Sequence, residues 1–279
     1  MPCRTGAHYN VNIRETVCAS APLWLLQALL EAGSEKECLD SEGYSALTRA
    51  VVHGRAKLEI VKLLLAHGAS LHAPGQISNT GKEREFASTL TYAASTNSHF
   101  DDFAEIMELL LAHGPTDADV NYSLNIASEK GSDAIVRVLL SHSADVNQPI
   151  PGGGGWHPLW TAAKLGHIGT VHQLLNAGAR VNQAAAEGES PLFVACEYGH
   201  PQVVSVLIAA KAAVSQKANK GATPLFMAMQ NSPYNKALYI LPSPKKPAPR
   251  GQLKCVELLL RAGARKEDAG MFKESVPAI

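Results

Sequence analysis

Two short strings of residues alternate along this chain with a period close to 33 residues. In the first string, a leucine follows a small residue or proline and precedes an alanine three positions later. In the second string, a leucine-rich run ends at glycine or a close substitute, as at Gly68 and Gly263. A repeat of this length cannot bury its own apolar face, so neighbouring repeats must stack into a continuous core. The leucines of the first string are Leu47, Leu90, Leu124, Leu159, Leu192 and Leu225.

Each string predicts one helix of a pair. A serine or threonine before proline, as in Ser190-Pro191, suits the cap and first turn of a helix, because proline has no amide hydrogen to leave unpaired there. In the second string, apolar residues recur at helical spacing between positions 60 and 65, and Gly68 then ends the helix in a left-handed turn. The repeat unit is therefore predicted to be a helix-turn-helix.

Several of these motifs resemble the ankyrin family. The matching residues are Thr223-Pro224-Leu225 before Ala228, and the pairs Gly166-His167 and Gly199-His200 between the two helices of a repeat. The resemblance implies an all-α repeat solenoid of stacked ankyrin helix-turn-helix repeats with hairpin fingers. The histidine of the family signature is absent, and its position is occupied by Thr48, Thr91, Asn125, Trp160, Phe193 and Phe226.

The resemblance also predicts the domain organisation. An N-terminal tail at 1–12 precedes an ankyrin repeat domain at 13–265, and a C-terminal tail follows at 266–279. The domain is expected to contain a degenerate capping repeat at 13–42 and repeats near 43–87, 88–121, 122–155, 156–188, 189–221 and 222–265.

Three fingers depart from the regular length. The finger before Ser88 is longer by about eight residues, whereas between Asn121 and Tyr122 the finger has almost vanished, so that the chain is expected to turn directly into the next helix. The glycine run at 152–155 lacks the lysine and hydroxyl residues of a phosphate-binding loop. We therefore interpret it as a flexible finger.

A proline-rich insertion is predicted at 232–253, between the paired helices of the last repeat. Its proline density favours an exposed polyproline-type loop over a helix. Pro244 and Pro247 followed by Arg250 also fit a ligand for an SH3-like domain. Both interpretations, plain loop and ligand, stay open.

The composition bears on compartment and partner class. Lysine plus arginine equals aspartate plus glutamate at 25 each, which indicates neither nucleic acid nor a membrane as partner. The five cysteines are scattered and odd in number, which is typical of a reducing compartment. The apolar segment at 17–30 is too short to span a bilayer and fits the end of a helix better than a secretory leader. We expect a monomer in the cytoplasm, the nucleus or both.

The eleven histidines do not indicate a catalytic or metal site. His67, His113 and His142 share one position in the repeat, while His167 and His200 share another, and recurrence in register is typical of a structural role. No HExxH motif occurs in the sequence. We therefore expect no enzyme, cofactor or metal. The alternative is an accessory or enzymatic component whose chemistry is not visible in the sequence.

Recognition of another protein is the leading functional hypothesis, with the chain acting as an adaptor, scaffold or inhibitor. By resemblance, the fingers and first helices line a concave groove that holds the partner, and aromatic residues are common anchors in such surfaces. Trp160, Phe193 and Phe226 are expected to pack between repeats. The predicted partner-binding residues are Trp156, Lys164, Glu197 and Tyr198.

The resemblance further predicts a modification. In similar proteins, asparaginyl hydroxylases modify an asparagine of the finger, and Asn121, Asn147 and Asn182 match that position. The alternative role of these side chains is to bond the backbone of the turn.

Overall fold

The computed structural model describes residues 22–34, 36–37, 39, 44–52, 58–72, 88–96, 102–230 and 250–269. All regular structure in these ranges is helical, which confirms the predicted all-α repeat architecture. The helices are α1 (Leu23–Glu31), α2 (Ala46–Val52), α3 (Leu58–Ala66), α4 (Thr89–Ser95), α5 (Asp102–Ala112), α6 (Asp117–Lys130), α7 (Asp133–Ser141), α8 (Pro158–Leu165), α9 (Ile168–Asn176), α10 (Pro191–Tyr198), α11 (Pro201–Ala209), α12 (Pro224–Gln230), α13 (Arg250–Arg261) and a 3-10 helix (Lys266–Ala269).

Contacts divide the chain into two compact units. The first comprises residues 1–130 and 137–144, and the second comprises 131–136 and 145–279. In the first unit, α2 pairs with α3 and α4 pairs with α5, while α2, α4 and α6 pack side by side. In the second unit, the pairs are α8 with α9, α10 with α11, and α12 with α13, and α10 packs between α8 and α12.

The first helices of the repeats begin as the sequence predicts. The Ser190 hydroxyl accepts a hydrogen bond from the Phe193 amide at 3.2 Å, and Ser45, Ser88 and Thr223 do the same for the amide three residues on. Each such bond satisfies one of the free amides of the first turn. The leucines of the repeat then lie in the core: Leu47, Leu90, Leu124, Leu159, Leu192 and Leu225 are at most 1% exposed.

The glycine that ends a first helix also makes room for the next repeat. Gly166 has a left-handed φ of 79°, and a Cβ there would lie 2.5 Å from the His200 ring. His200 Nε2 donates to the Lys164 carbonyl at 2.9 Å, so this histidine satisfies the free end of α8. In the last repeat, Gln252 takes the place of the histidine and donates to the Glu197 carbonyl at 3.1 Å.

The fingers of the second unit are hydrogen-bonded hairpin turns. Their backbones close through Ile150 N to Trp156 O at 2.7 Å and Ala185 N to Glu189 O at 3.0 Å. Neighbouring fingers are joined as well, by Ala186 N to Gly154 O at 2.8 Å and Asn219 N to Glu187 O at 2.9 Å. Because these bonds place each finger against the next, side chains from adjacent repeats share one surface.

The turn predicted between Asn121 and Tyr122 is absent from the structure. The chain does not turn there, because α6 runs without a break from Asp117 to Lys130. Ser123 is therefore a buried residue inside the helix, and Thr116 caps the helix instead. Two additional turns at the start of α6 take the place of the predicted turn.

The glycine run at 152–155 forms the turn of its finger, in which Gly152, Gly154 and Gly155 adopt positive φ angles of 67°, 67° and 77°. The predicted flexibility of this finger stays a prediction. A Cβ on Gly155 would lie 2.9 Å from the Ala186 amide nitrogen, so this glycine is required by the close approach of the next finger.

Helix boundaries near the C-terminus differ from the predicted segments. α13 begins at Arg250, inside the proline-rich insertion expected at 232–253, whose residues 232–249 lie outside the described ranges. Lys266–Ala269 is helical, although it falls in the predicted tail. It packs on α12 of the last repeat, and the Ser215 hydroxyl of the repeat before donates to Asp268 Oδ2 at 2.6 Å. The predicted N-terminal tail at 1–12 also lies outside the described residues.

Candidate partner-binding site

The exposed aromatic residues of the second unit meet at the end of one finger. Trp156 directly follows the glycine turn, whose hydrogen bonds fix its backbone, and its side chain is 42% exposed. Trp160 lies four residues later in the first turn of α8 and is only 4% exposed. The two rings are stacked, with centroids 5.4 Å apart and planes 7° from parallel. The buried ring thus supports the exposed one.

Lys164 places its ammonium group among three aromatic rings. It lies one helical turn after Trp160 on the same face of α8. Its Nζ atom is 5.4 Å from the Trp156 centroid, 5.1 Å from that of Trp160 and 5.4 Å from that of Tyr198. All three distances fall within the range of a cation–π interaction. We call Trp156, Trp160 and Tyr198 the aromatic cage.

Tyr198 reaches the cage from the neighbouring repeat. It is the last residue of α10, and its side chain is 47% exposed. The next residue, Gly199, ends α10 with a left-handed φ of 75°. Because α8 and α10 pack side by side, the C-terminal turns of both helices contribute to one surface.

Three carboxylates surround the cage. Glu187 and Glu189 come from the next finger and Glu197 from the last turn of α10, and with the cage and Lys164 they line a depression of about 290 Å³. We call these seven residues the groove site. Among the described residues, three carboxylates and one ammonium line it, so this lining carries an excess of negative charge.

The electrostatics of the carboxylates reflect this crowding. Partial burial raises the pKa of Glu189, with a further contribution from Glu187, while Lys164 and Lys220 oppose the shift. Partial burial also raises the pKa of Glu197, together with the charge of Glu189. Lys164 therefore offsets the mutual repulsion of the carboxylates only in part.

The structure brings all four sequence-predicted residues, Trp156, Lys164, Glu197 and Tyr198, into this site. Sequence reasoning missed Glu187 and Glu189, although the recurring finger motif was a usable signal for their position. It also assigned Trp160 to packing alone, whereas this ring both packs and lines the site. Phe193 and Phe226 line an adjoining depression, which shares Glu187 and Glu189 with this site.

Comparison with known families agrees with this architecture. A family model described as ankyrin repeats (3 copies) matches residues 16–122, 90–185 and 159–249. The chain belongs to the ankyrin-repeat family. Ankyrin repeats are in general non-enzymatic modules for protein–protein interaction.

Curated relatives share the ankyrin repeats over part of this chain. An ankyrin repeat and KH domain-containing protein of Caenorhabditis briggsae is 31% identical over 141 residues, which cover 48% of this chain and 5% of the relative. The ankyrin repeat and KH domain-containing protein mask-1 of Caenorhabditis elegans is 30% identical over 147 residues, which cover 50% of this chain and 5% of the relative. The match thus spans a small part of the length of these proteins.

The asparagines proposed for hydroxylation occupy two different settings. In the ankyrin fingers, Asn147 Oδ1 accepts from the Arg180 amide at 2.8 Å, and Asn182 Oδ1 accepts from the Ala213 amide at 2.8 Å. Asn121 lies inside α6, so its predicted placement in a finger is wrong. Hydroxylation of Asn147 and Asn182 stays a prediction.

The recurring histidines bond to the backbone of the ankyrin helices. His67, His113 and His142 each donate from Nδ1 to the carbonyl four residues earlier, at 2.9, 2.7 and 3.1 Å. Within the described ranges, no group of three or more histidine, cysteine or acidic residues could hold a metal ion. No helix in the same part of the chain is long and apolar enough to cross a bilayer.

Proposed function

We propose that this ankyrin-repeat chain is an adaptor, scaffold or inhibitor that binds a protein partner through the groove site. The observation that carries the proposal is the exposed aromatic cage, which is built around one ammonium and bordered by an excess of carboxylates. By family resemblance, the fingers and first helices that form this site line the concave surface of the repeats.

The physical properties of the cage suit a binding surface. Trp156 and Tyr198 are large, rigid and about half exposed, so a partner that covers them removes apolar area from water at little cost in side-chain entropy. Trp160 fixes the orientation of Trp156 from below by stacking. Such anchors are typical of the residues that dominate binding energy at interfaces.

Capture of the partner by the tagged full chain tests the proposal. We expect Trp156→Ala and Tyr198→Ala each to reduce partner recovery by about tenfold, as for central aromatic anchors. Trp24→Ala is the matched control, because Trp24 is the more exposed tryptophan at 68% and lies in the other unit. Thermal unfolding of each variant separates loss of binding from loss of folding.

A variant lacking residues 243–249 tests the rival site in the proline-rich segment. We expect this deletion to leave both partner recovery and the melting temperature unchanged. If the deletion abolished recovery while the cage variants did not, the proline-rich segment would be the binding site and the proposal would be wrong.

We also propose that the chain acts as a monomer in the cytoplasm, the nucleus or both, without binding nucleic acid or membrane. Support comes from the balanced charge and from Cys196 and Cys255, which are buried free thiols. Free thiols are typical of reducing compartments.

An enzymatic role has weaker support: Glu189 and Glu197 have raised pKa values, but among the described residues no histidine, cysteine or serine lines the depression with them.

A further inference from the structure

We propose that the groove site recognises a lysine side chain of a basic segment in the partner, and that Lys164 holds the same position in the free protein. This inference rests on the proposed function, because it names the partner group that the groove site receives. In the free chain the cage already holds an ammonium, at 5.1 to 5.4 Å from three ring centroids. The geometry therefore shows which kind of group the three rings accommodate.

The charge of the site leaves room for a second cation. Among the described residues, Glu187, Glu189 and Glu197 line the depression with one ammonium, that of Lys164, while Lys220 lines the adjoining depression with Glu187 and Glu189 and acts on Glu189. The raised pKa values of Glu189 and Glu197 show that their repulsion and partial burial are not fully compensated. An incoming ammonium would stabilise the ionised carboxylates, whereas an acidic partner would add to the repulsion.

The position of Lys164 allows an exchange of cations. Lys164 is partly exposed, and two of the three rings around its ammonium are about half exposed. The four-carbon stem of lysine lets the ammonium swing away while the α8 backbone stays fixed through the bond from His200 to the Lys164 carbonyl. A partner lysine can then occupy the cage, and both ammonium groups remain close to the three carboxylates.

If a partner lysine displaces the Lys164 ammonium from the cage, removing Lys164 should strengthen the binding of an external cation. The probe is N-acetyl-lysine methylamide, titrated into the full chain and followed by the indole N–H signals in NMR spectra. We expect it to shift the signals of Trp156 and Trp160 but not that of Trp24. Lys164→Met keeps an unbranched side chain that is one atom shorter and carries no charge, and we expect about tenfold tighter binding of the probe.

Two control variants separate the effect of the aromatic rings on probe binding from the effect of net charge. Lys220→Met also removes a positive charge near Glu189 but leaves the cage occupied, and we expect it to change probe affinity by about twofold or less. Adding Trp156→Leu to Lys164→Met should remove the gain, with Trp160 as the remaining reporter. Thermal unfolding checks that each variant is folded.

The proposal is overturned if Lys164→Met binds the probe no better than the wild type or than Lys220→Met. Equal binding of the ε-acetylated probe would also overturn it, since the site would then recognise the apolar stem and not the charge. Tighter binding of the arginine analogue than of the lysine probe would overturn the choice of lysine.

The outcomes also distinguish this inference from the proposed function. If cage variants lose the captured partner but no probe binds, the groove site is the interface and its selectivity for lysine is wrong. If the probe binds as expected but the cage variants retain the partner, the cation site stands and the proposed interface is wrong.

Discussion

The histidine that caps α8 performs a task that serine or threonine performs in other repeats. His157 Nδ1 accepts from the Trp160 amide at 3.4 Å, and its Nε2–H donates to the Gln183 carbonyl at 3.0 Å. The bond from the Trp160 amide requires the neutral ring, because protonation would turn the accepting Nδ1 into a donor, whereas the charged ring still donates to the Gln183 carbonyl. Burial lowers the pKa of His157, although the bond to Gln183 opposes this shift. The hydrogen bond from the Trp160 amide to His157 therefore depends on pH.

This coupling predicts a loss of stability on acidification. Because the pKa of His157 is lower in the folded state than in the unfolded chain, its contribution is complete above about pH 6.5 and is lost as the pH falls through the folded pKa. We expect His157→Ser, which copies Ser190, to lose less stability than the wild type between about pH 7.5 and 5.5. Urea unfolding at several pH values measures the difference.

His172→Ser provides the control, since His172 is exposed on α9 and should leave the pH dependence unchanged. Burial also lowers the pKa of His200, so part of the dependence will remain in His157→Ser. His200→Gln, which copies Gln252, should remove a further part. An unchanged pH dependence in both variants would show that neither ring contributes.

At the scale of elements, the cap of α6 moves the start of a helix away from the position that the repeat predicts. Thr116 Oγ1 accepts from the Asp119 amide at 3.2 Å, and Asp119 Oδ2 accepts in return from the Thr116 amide at 3.0 Å. This reciprocal pair is a capping box, which satisfies two amides at the start of the helix. His72 adds a contact to the same carboxylate oxygen at 2.7 Å. The cap of the helix, Thr116, therefore lies seven residues before Ser123, the cap that the repeat pattern indicated.

Removing this cap should destabilise the first unit. Asp119 is 2% exposed and bonds to Thr116 and His72, so we expect Asp119→Ala to lower the free energy of unfolding by about 1–2 kcal/mol. Asp117→Ala in the same first turn is the control, since Asp117 is exposed and should cost about 0.5 kcal/mol or less. Urea unfolding, with hydrogen exchange of the α6 amides, compares them. Equal losses in both variants would assign the effect to helix-end charge and not to the capping box.

At the scale of the whole molecule, stability and recognition depend on different residues. The repeated leucines are buried at the contacts between neighbouring helices, so stability is distributed along the repeats. The aromatic cage, by contrast, lies in one place within the second unit. A change in the core should therefore affect folding first, and a change in the cage should affect binding first.

A pair of substitutions on α10 tests this separation. Leu192 is 1% exposed, so Leu192→Ala should lower the free energy of unfolding by roughly 2–5 kcal/mol through loss of packing and an internal cavity. Tyr198→Ala on the same helix should cost about 0.5 kcal/mol or less, because its side chain is 47% exposed. Chemical unfolding of both variants gives the comparison. A cost for Tyr198→Ala close to that for Leu192→Ala would mean that the cage is part of the core.

Features that depend on spacing within one repeat could be predicted from the sequence. Ser190 begins a helix, Leu192 enters the core and Gly199 ends the helix, because each role depends on local backbone chemistry and on a period that recurs. The histidine bond illustrates the same regularity. His200 reaches a carbonyl 36 residues earlier and Gln252 one 55 residues earlier, because the insertion predicted at 232–253 lengthens the last repeat.

The sequence alone thus determined the repeat, its helices and its buried leucines, since these follow from periodic apolar residues and helix-end preferences. Only the tertiary structure decided which side chains meet across repeats. Glu187 and Glu189 join the cage because one finger is hydrogen-bonded to the finger before it, and Trp160 serves both packing and the site because Trp156 stacks on it. The contact from His72 to Asp119, 47 residues later, is also decided by the tertiary structure, although the Thr116–Asp119 capping box that begins α6 is a local signal. The bonds between fingers and the contact from His72 to Asp119 join residues far apart in the chain, so local preferences do not predict them.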